Sequence, residues 1–184
     1  MAGTTKETRI VDKAKTMDKQ NVVLIGMPGA GKSTVGVVLA KIMNKGFVDA
    51  DLVIQSHYGK TLHELIEERG AEGFVRLENE VLIQLEAENS IIATGGSAVY
   101  SEEAMRHLAN IGTVVYLKIS YDSLVDRLGD LQDRGVVMMG GASMGLRELY
   151  DERLPLYERY ADVIVNVDDL SITAAARRVV GALK

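Results

Sequence analysis

The stretch Asn21-Val22-Val23-Leu24-Ile25-Gly26-Met27-Pro28-Gly29-Ala30-Gly31-Lys32-Ser33 decides the fold. Its first six residues form a short apolar run ending in glycine, the pattern of a buried strand. Gly26 to Ser33 satisfy G-x-x-x-x-G-K-[ST], and from Gly31 onward Val35, Val38, Leu39 and Ile42 recur at the three- and four-residue spacings of a helix. A strand, a glycine-rich turn and a helix opening on lysine form the context in which this motif binds nucleotide phosphates. The glycines let backbone N–H groups converge on phosphate oxygens without a clashing Cβ, and the helix start adds the positive end of its dipole. Lys32 is placed to reach the β- and γ-phosphates and Ser33 to ligate Mg²⁺, with Gly29, Ala30, Gly31 and Thr34 completing the nucleotide-binding set.

Outward from this stretch, strand and helix signals alternate. Phe47-Val48 reads as a second strand, stopped by Asp49-Ala50-Asp51; Ser90 to Thr94 as a third, closed by Gly95-Gly96; Thr113 to Lys118 as a fourth; and Asp162 to Val167 as a fifth. Residues 52–69 read as helical with a break near Tyr58-Gly59. A longer helix is expected from about Phe74 to Ala87, and a last one over Leu170 to Leu183. Glu64, Glu67 and Glu68 read as a solvated helix face, and Tyr150, Tyr157 and Tyr160 as one helix side turned toward the sheet. Strands alternating with helices imply an α/β fold, a three-layer α/β/α sandwich around a five-stranded parallel sheet, in one domain spanning 21–184. Gly129 to Gly145 holds five glycines and three methionines without periodicity, and is expected to be a lid loop near the strand ends. Residues 1–20 are charged and weakly patterned, and read as a mobile leader or a short surface helix.

Composition narrows the function. The chain has 184 residues, enough for a real core, and a formal charge of −5, which argues against a nucleic-acid partner because duplex binding needs a dense basic surface. Cysteine is absent, so thiolate catalysis, disulfides and cysteine-based zinc sites are excluded. No apolar run approaches the roughly 20 residues that span a bilayer, so a cytoplasmic protein without a membrane partner is expected. His57, His63 and His107 are scattered, without zinc-like clustering. A GTPase would need N-K-x-D, but Asn44-Lys45 is followed by Gly46-Phe47; Asp126-Arg127-Leu128-Gly129 closes a helix instead of a strand. Gly26, Gly29 and Gly31 are spaced G-x-x-G-x-G, which is not the dinucleotide fingerprint. A small ATP-dependent kinase remains.

With Gly26-Met27-Pro28-Gly29-Ala30-Gly31-Lys32-Ser33-Thr34, Phe47-Val48-Asp49-Ala50-Asp51, Ala93-Thr94-Gly95-Gly96 and Arg153-Leu154-Pro155-Leu156-Tyr157 in this order, the chain resembles the shikimate kinases over residues 21–168. The resemblance implies transfer of the γ-phosphoryl group of ATP to shikimate, with Mg²⁺ as cofactor, in a monomer. It implies that Asp49 holds the metal through water, and that Asp51 accepts a hydrogen bond from the acceptor hydroxyl and serves as base. Gly95, Gly96, Ser97 and Arg153 would bind the acceptor, Arg153 through its carboxylate. Arg134 in the lid would neutralise charge on the transferring group, and Arg127 would stack on adenine. Bland alternatives stand beside these: Asp51 as a helix N-cap, Gly95-Gly96 as a simple turn, Arg127 and Arg153 as solvated arginines.

Three departures fall on the acceptor side. The family's F-R-x-x-E is Phe74-Val75-Arg76-Leu77-Glu78, with valine where an arginine should grip the substrate carboxylate. Arg76, one position later, is turned by about 100° around the helix. The triple glycine is Gly95-Gly96-Ser97, and the lid's R-P-L-L is Arg134-Gly135-Val136-Val137. Losing one charged hydrogen bond costs about 1.5–3 kcal/mol, so shikimate still fits. Two other acceptor-side readings stay open: a related kinase for another small hydroxy acid such as homoserine, and a nucleotide-binding regulatory protein impaired in phosphotransfer.

Overall fold

In the computed structural model, which describes residues 9–10, 20–128 and 145–184, the opening stretch lies at the centre of the sheet. Strand β2 (Asn21–Ile25) is buried at every position, as a strand covered on both faces must be. Helix α1 (Lys32–Met43) follows it, and β3 (Gly46–Asp49), α2 (Ala50–Tyr58) and α3 (Leu62–Leu82) come next. The chain continues through β4 (Ser90–Ala93), a 3₁₀ turn (Ala98–Tyr100), α4 (Glu102–Ile111) and β5 (Gly112–Lys118). Helices α5 (Tyr121–Leu128) and α6 (Leu146–Tyr160), strand β6 (Val163–Asn166) and α7 (Ile172–Ala182) complete it.

The sheet order is β6-β5-β2-β4-β3, all parallel, the five expected strands. A sixth, two-residue strand β1 (Arg9–Ile10) pairs antiparallel with the outer edge of β6, with Arg9 opposite Ile164. This piece of the expected leader is thus extended rather than helical. Apart from Gln20, the rest of the leader lies outside the described residues, as does all of the lid except Gly145, Arg134 included. After β2 the chain crosses to the far edge and returns beside it as β4, then passes to the other side as β5. Such a switch point places ligands outside the carboxyl ends of the strands. Gly26, Asp49, Gly95 and Gly96 all lie at those ends.

Helix boundaries follow local chemistry. Gly59, at a φ of 65°, ends α2, and Thr61 opens α3 with a capping box in which Glu64 accepts from the Thr61 N–H at 2.7 Å. Glu64 therefore does more than solvate a face. The two helices expected between 62 and 87 are present within α3, separated at Gly70, whose φ of 66° and ψ of 176° are not helical, and the second ends at Leu82 instead of Ala87. Tyr150 and Tyr157 are buried as expected, with Tyr157 stacked on Tyr116. No described helix is long and apolar enough to cross a membrane.

At the opposite, amino-terminal edge, the buried side chain of Asn21 ties three segments together. Its Nδ2 donates to the Ala87 and Ile111 carbonyls at 2.6 and 2.9 Å, while its Oδ1 accepts from Ser90 N–H at 2.9 Å. Asn21→Ala leaves these groups without their partner, and we expect a loss of about 2–3 kcal/mol. Urea unfolding followed by circular dichroism checks this; an unchanged midpoint would contradict the stapling role.

Candidate active site

The loop between β2 and α1 has the backbone that a phosphate cradle requires. Gly26 adopts φ 146°, and a Cβ there would stand 2.7 Å from the Leu117 carbonyl oxygen. Gly31, at φ 90°, precedes α1 and offers no side-chain cap to its first turn. Helices α2, α3, α4 and α7 are capped by the side chains of Asp49, Thr61, Ser101 and Ser171. The first N–H groups of α1 are therefore available to an anion. Ala30 is buried, Gly29 and Gly31 are half-buried, and Ser33 and Thr34 are exposed at the mouth. Lys32 is buried and folded onto its own loop, its Nζ donating to the Gly26 and Met27 carbonyls at 2.8 and 3.0 Å. Burial pulls its pKa down to about 8, opposed chiefly by the negative charge of Asp51.

A second group of buried polar side chains faces this loop across Gly95 and Gly96. A Cβ on Gly95 would overlap Glu78 Oε1 and lie 2.9 Å from Asp51 Oδ1. One on Gly96 would lie 2.9 Å from both Arg153 Nη1 and Pro28 Cδ. The two glycines thus serve as more than a turn: they let Asp51, Glu78, Arg153 and the phosphate loop crowd around bare backbone. Tyr157 Oη donates to the Gly96 carbonyl at 2.7 Å and fixes that backbone from α6.

The elements account for each position. Asp49, the last residue of β3, is the N-cap of α2, its Oδ1 accepting from Asp51 N–H at 3.0 Å. The cap expected at Asp51 is therefore two residues earlier. Asp51 sits inside the first turn with its carboxylate toward Lys32; burial raises its pKa, Lys32 opposes this, and Asp49 adds to it. Ser33 and Asp49 supply the hard oxygen donors suited to Mg²⁺, a cation commonly held by one or two protein ligands together with phosphates.

Arg153 is only 1% exposed, contrary to the exposed helix that its sequence suggests. Its Nε donates to Tyr100 Oη at 3.1 Å, and its guanidinium lies 5.0 Å from the Tyr100 ring centroid. Arg127, at the end of α5, donates from Nη2 to the Val167 carbonyl at 2.7 Å, joining α5 to the loop after β6. It is not simply solvated.

Two features of the acceptor side were not legible in the motif. Arg76 does not curl back: it is solvent-facing and pairs with Glu72 at 3.6 Å, while Val75 packs into the small apolar cluster around Phe74, Leu77 and Val81. Glu78, the last residue of the Phe74-to-Glu78 motif, is 1% exposed and accepts from Ser97 Oγ at 2.6 Å. Burial foremost, then Asp51, raises its pKa to about 7 against the pull of Ser97, Arg153 and Lys32. Tyr100 carried no sequence signal, because its role depends on contact with α6.

Comparison with known proteins agrees with this geometry. The family model for shikimate kinase (SKI) matches residues 28–184. The chain is similar to shikimate kinases of Shewanella amazonensis, 36% identical over 167 residues, and of Vibrio parahaemolyticus, 37% identical over 168 residues. These matches cover 90% and 91% of this chain and 98% of each relative. Among solved structures it is similar to a shikimate kinase from Acinetobacter baumannii in complex with shikimate, at a TM-score of 0.80 and 29% identity, covering 89% of this chain and 92% of that one. A phosphate loop facing Asp51 and the buried pair Glu78 and Arg153, joined to these matches along most of the chain, places it in the shikimate kinase family.

Proposed function

We propose that the protein transfers the γ-phosphoryl group of ATP to a hydroxyl of shikimate. The observation that carries this reading is the approach of Asp51 to Gly95 and of Arg153 to Gly96, with Lys32 electrostatically coupled to both side chains, beside an uncapped helix start. The amides of Gly29 to Thr34 hold the phosphates. Lys32 exchanges the carbonyls of Gly26 and Met27 for β- and γ-phosphate oxygens. Ser33 and, through water, Asp49 would hold Mg²⁺, which neutralises phosphate charge when bound. Arg127 borders the adenine side, and Arg134 is assigned to the transferring phosphoryl from the sequence alone.

On the acceptor side Arg153 pairs with the carboxylate, and its buried position makes that pairing stronger than at a surface. The walls are Gly95, Gly96 and Ser97. Asp51 accepts the hydroxyl proton as the oxygen attacks phosphorus, and its raised pKa makes it a stronger base than a free aspartate. Because that carboxyl must be ionised to act, kcat rises with pH as Asp51 loses its proton.

A second reading keeps this chemistry with another small hydroxy acid, such as homoserine, as acceptor. It is favoured by Val75, which packs apolar neighbours, and by Arg76, which faces away. ADP release measured with each compound separates the two: turnover with shikimate supports the first reading, and turnover with homoserine alone overturns it. Lys32→Ala is expected to abolish turnover with the thermal melt retained; undiminished turnover would remove Lys32 from the reaction. For Asp51→Asn we expect kcat to fall about 10²–10⁴-fold with ATP affinity nearly unchanged, whereas equal losses in both would point to a structural role. Val75→Arg is expected to lower the shikimate KM roughly 10-fold, read from the same assay; a raised KM would show that the pocket has no room for a second guanidinium.

A further inference from the structure

Glu78 is the buried ionisable group that the proposed phosphotransfer leaves without a task. It projects from the inner face of α3, between Leu77 and Val81, into the space at Gly95. Its two oxygens are treated differently. Oε2 accepts from Ser97 Oγ, whereas Oε1 has no hydrogen-bond partner among the described residues and is aimed at the same point as Asp51 Oδ1. Val75, one turn earlier on α3, offers no donor, and Arg76 points away. The groups facing Glu78 are Asp51 from α2, Lys32 from α1, Ser97 from the turn after β4, and Arg153 and Tyr157 from α6.

Two carboxyls turned to one buried point do not both ionise cheaply. Lys32 favours the ionised form of Asp51. Glu78, with one oxygen already accepting from a neutral hydroxyl and the other unpaired, is the better candidate for the neutral form. Its remaining O–H then has no acceptor within the described protein. Building on the kinase reading, we propose that Glu78 is a further acceptor-binding residue that works as a neutral carboxyl. Ser97 holds one of its oxygens, and the other donates a hydrogen bond to an oxygen of the hydroxy acid lying against Gly95. Serine in place of the third glycine and valine in place of the arginine then belong to one rearrangement. A hydroxyl-supported carboxylic acid takes over part of the grip that a guanidinium would have given.

The test compares wild type with Glu78→Gln, an amide that keeps both a donor and an acceptor at nearly the same size. Glu78 has its pKa raised from 4.5 to about 7 in the fold. Its contribution to stability is therefore fully present below 4.5 and is lost as pH rises through about 7. Thermal melts of the full chain at pH 6 and pH 8, without ligand, are expected to show wild type losing stability relative to Glu78→Gln. The depressed pKa of Lys32 acts in the opposite sense in both proteins, and it falls further where Glu78 no longer offsets it, so this coupling separates the two melts in the same direction. Parallel melts would overturn the neutral state.

The second reading is the shikimate KM, expected to rise about tenfold between pH 6 and pH 8 in wild type and to stay flat in Glu78→Gln, with the ATP KM unaffected in both. A Glu78→Gln protein that keeps the rise, or whose KM at pH 6 is already raised tenfold, would overturn the donor role. Absence of turnover with shikimate at every pH would strike the proposed activity alone, because the melts contain no acceptor.

Discussion

Four ionisable side chains interact beside two glycines, three of them buried, and the rest of the site depends on that crowding. Lys32 and Arg153 bring positive charge, Asp51 and Glu78 carboxyls, and neither Gly95 nor Gly96 leaves room for a Cβ. Isolated, each of these groups would cost several kcal/mol to keep from water. Together they offset one another, and the balance is tunable by any ligand that adds charge. In the proposed reaction, a triphosphate beside Lys32 and a carboxylate beside Arg153 would be ligands of that kind.

The scaffold exists to hold that space at the carboxyl ends of the strands. β2 delivers the phosphate loop, β3 delivers Asp49 and Asp51 through a capped helix start, and β4 delivers the glycines. α6 closes the site from the side with Arg153 and Tyr157, and the Tyr100 ring supports the guanidinium. The nucleotide half is built mostly from main-chain groups, which tolerate sequence change as long as glycine is kept where the backbone demands it. The acceptor half is built from side chains, which is why the departures at Val75 and Ser97 fall there.

The parallel sheet and the phosphate loop were legible in the sequence because both are local. A five-residue buried strand and a glycine-lysine turn carry their own pattern. What is set by distant contacts was not legible. Arg153 lies in a polar helix, and its burial involves Tyr100 and Gly96, more than fifty residues away in the chain. Glu78 was visible as a motif residue, yet its pairing with Ser97 depends on where α3 crosses the turn after β4. The cap of α2 was misplaced by two residues, since Asp49 and Asp51 are equally good caps until the strand end is known. Strand β1, two residues long, has no periodicity to read.

A crystal structure of the protein with ADP, Mg²⁺ and shikimate tests the central claim most directly. The account predicts a nucleotide phosphate oxygen on Lys32 Nζ in place of the Gly26 and Met27 carbonyls, with the shikimate carboxylate on Arg153 and a hydroxyl on Asp51 between Gly95 and the phosphate loop. Shikimate bound away from Asp51 and Arg153, or Lys32 still tied to its own loop with nucleotide in place, would contradict it.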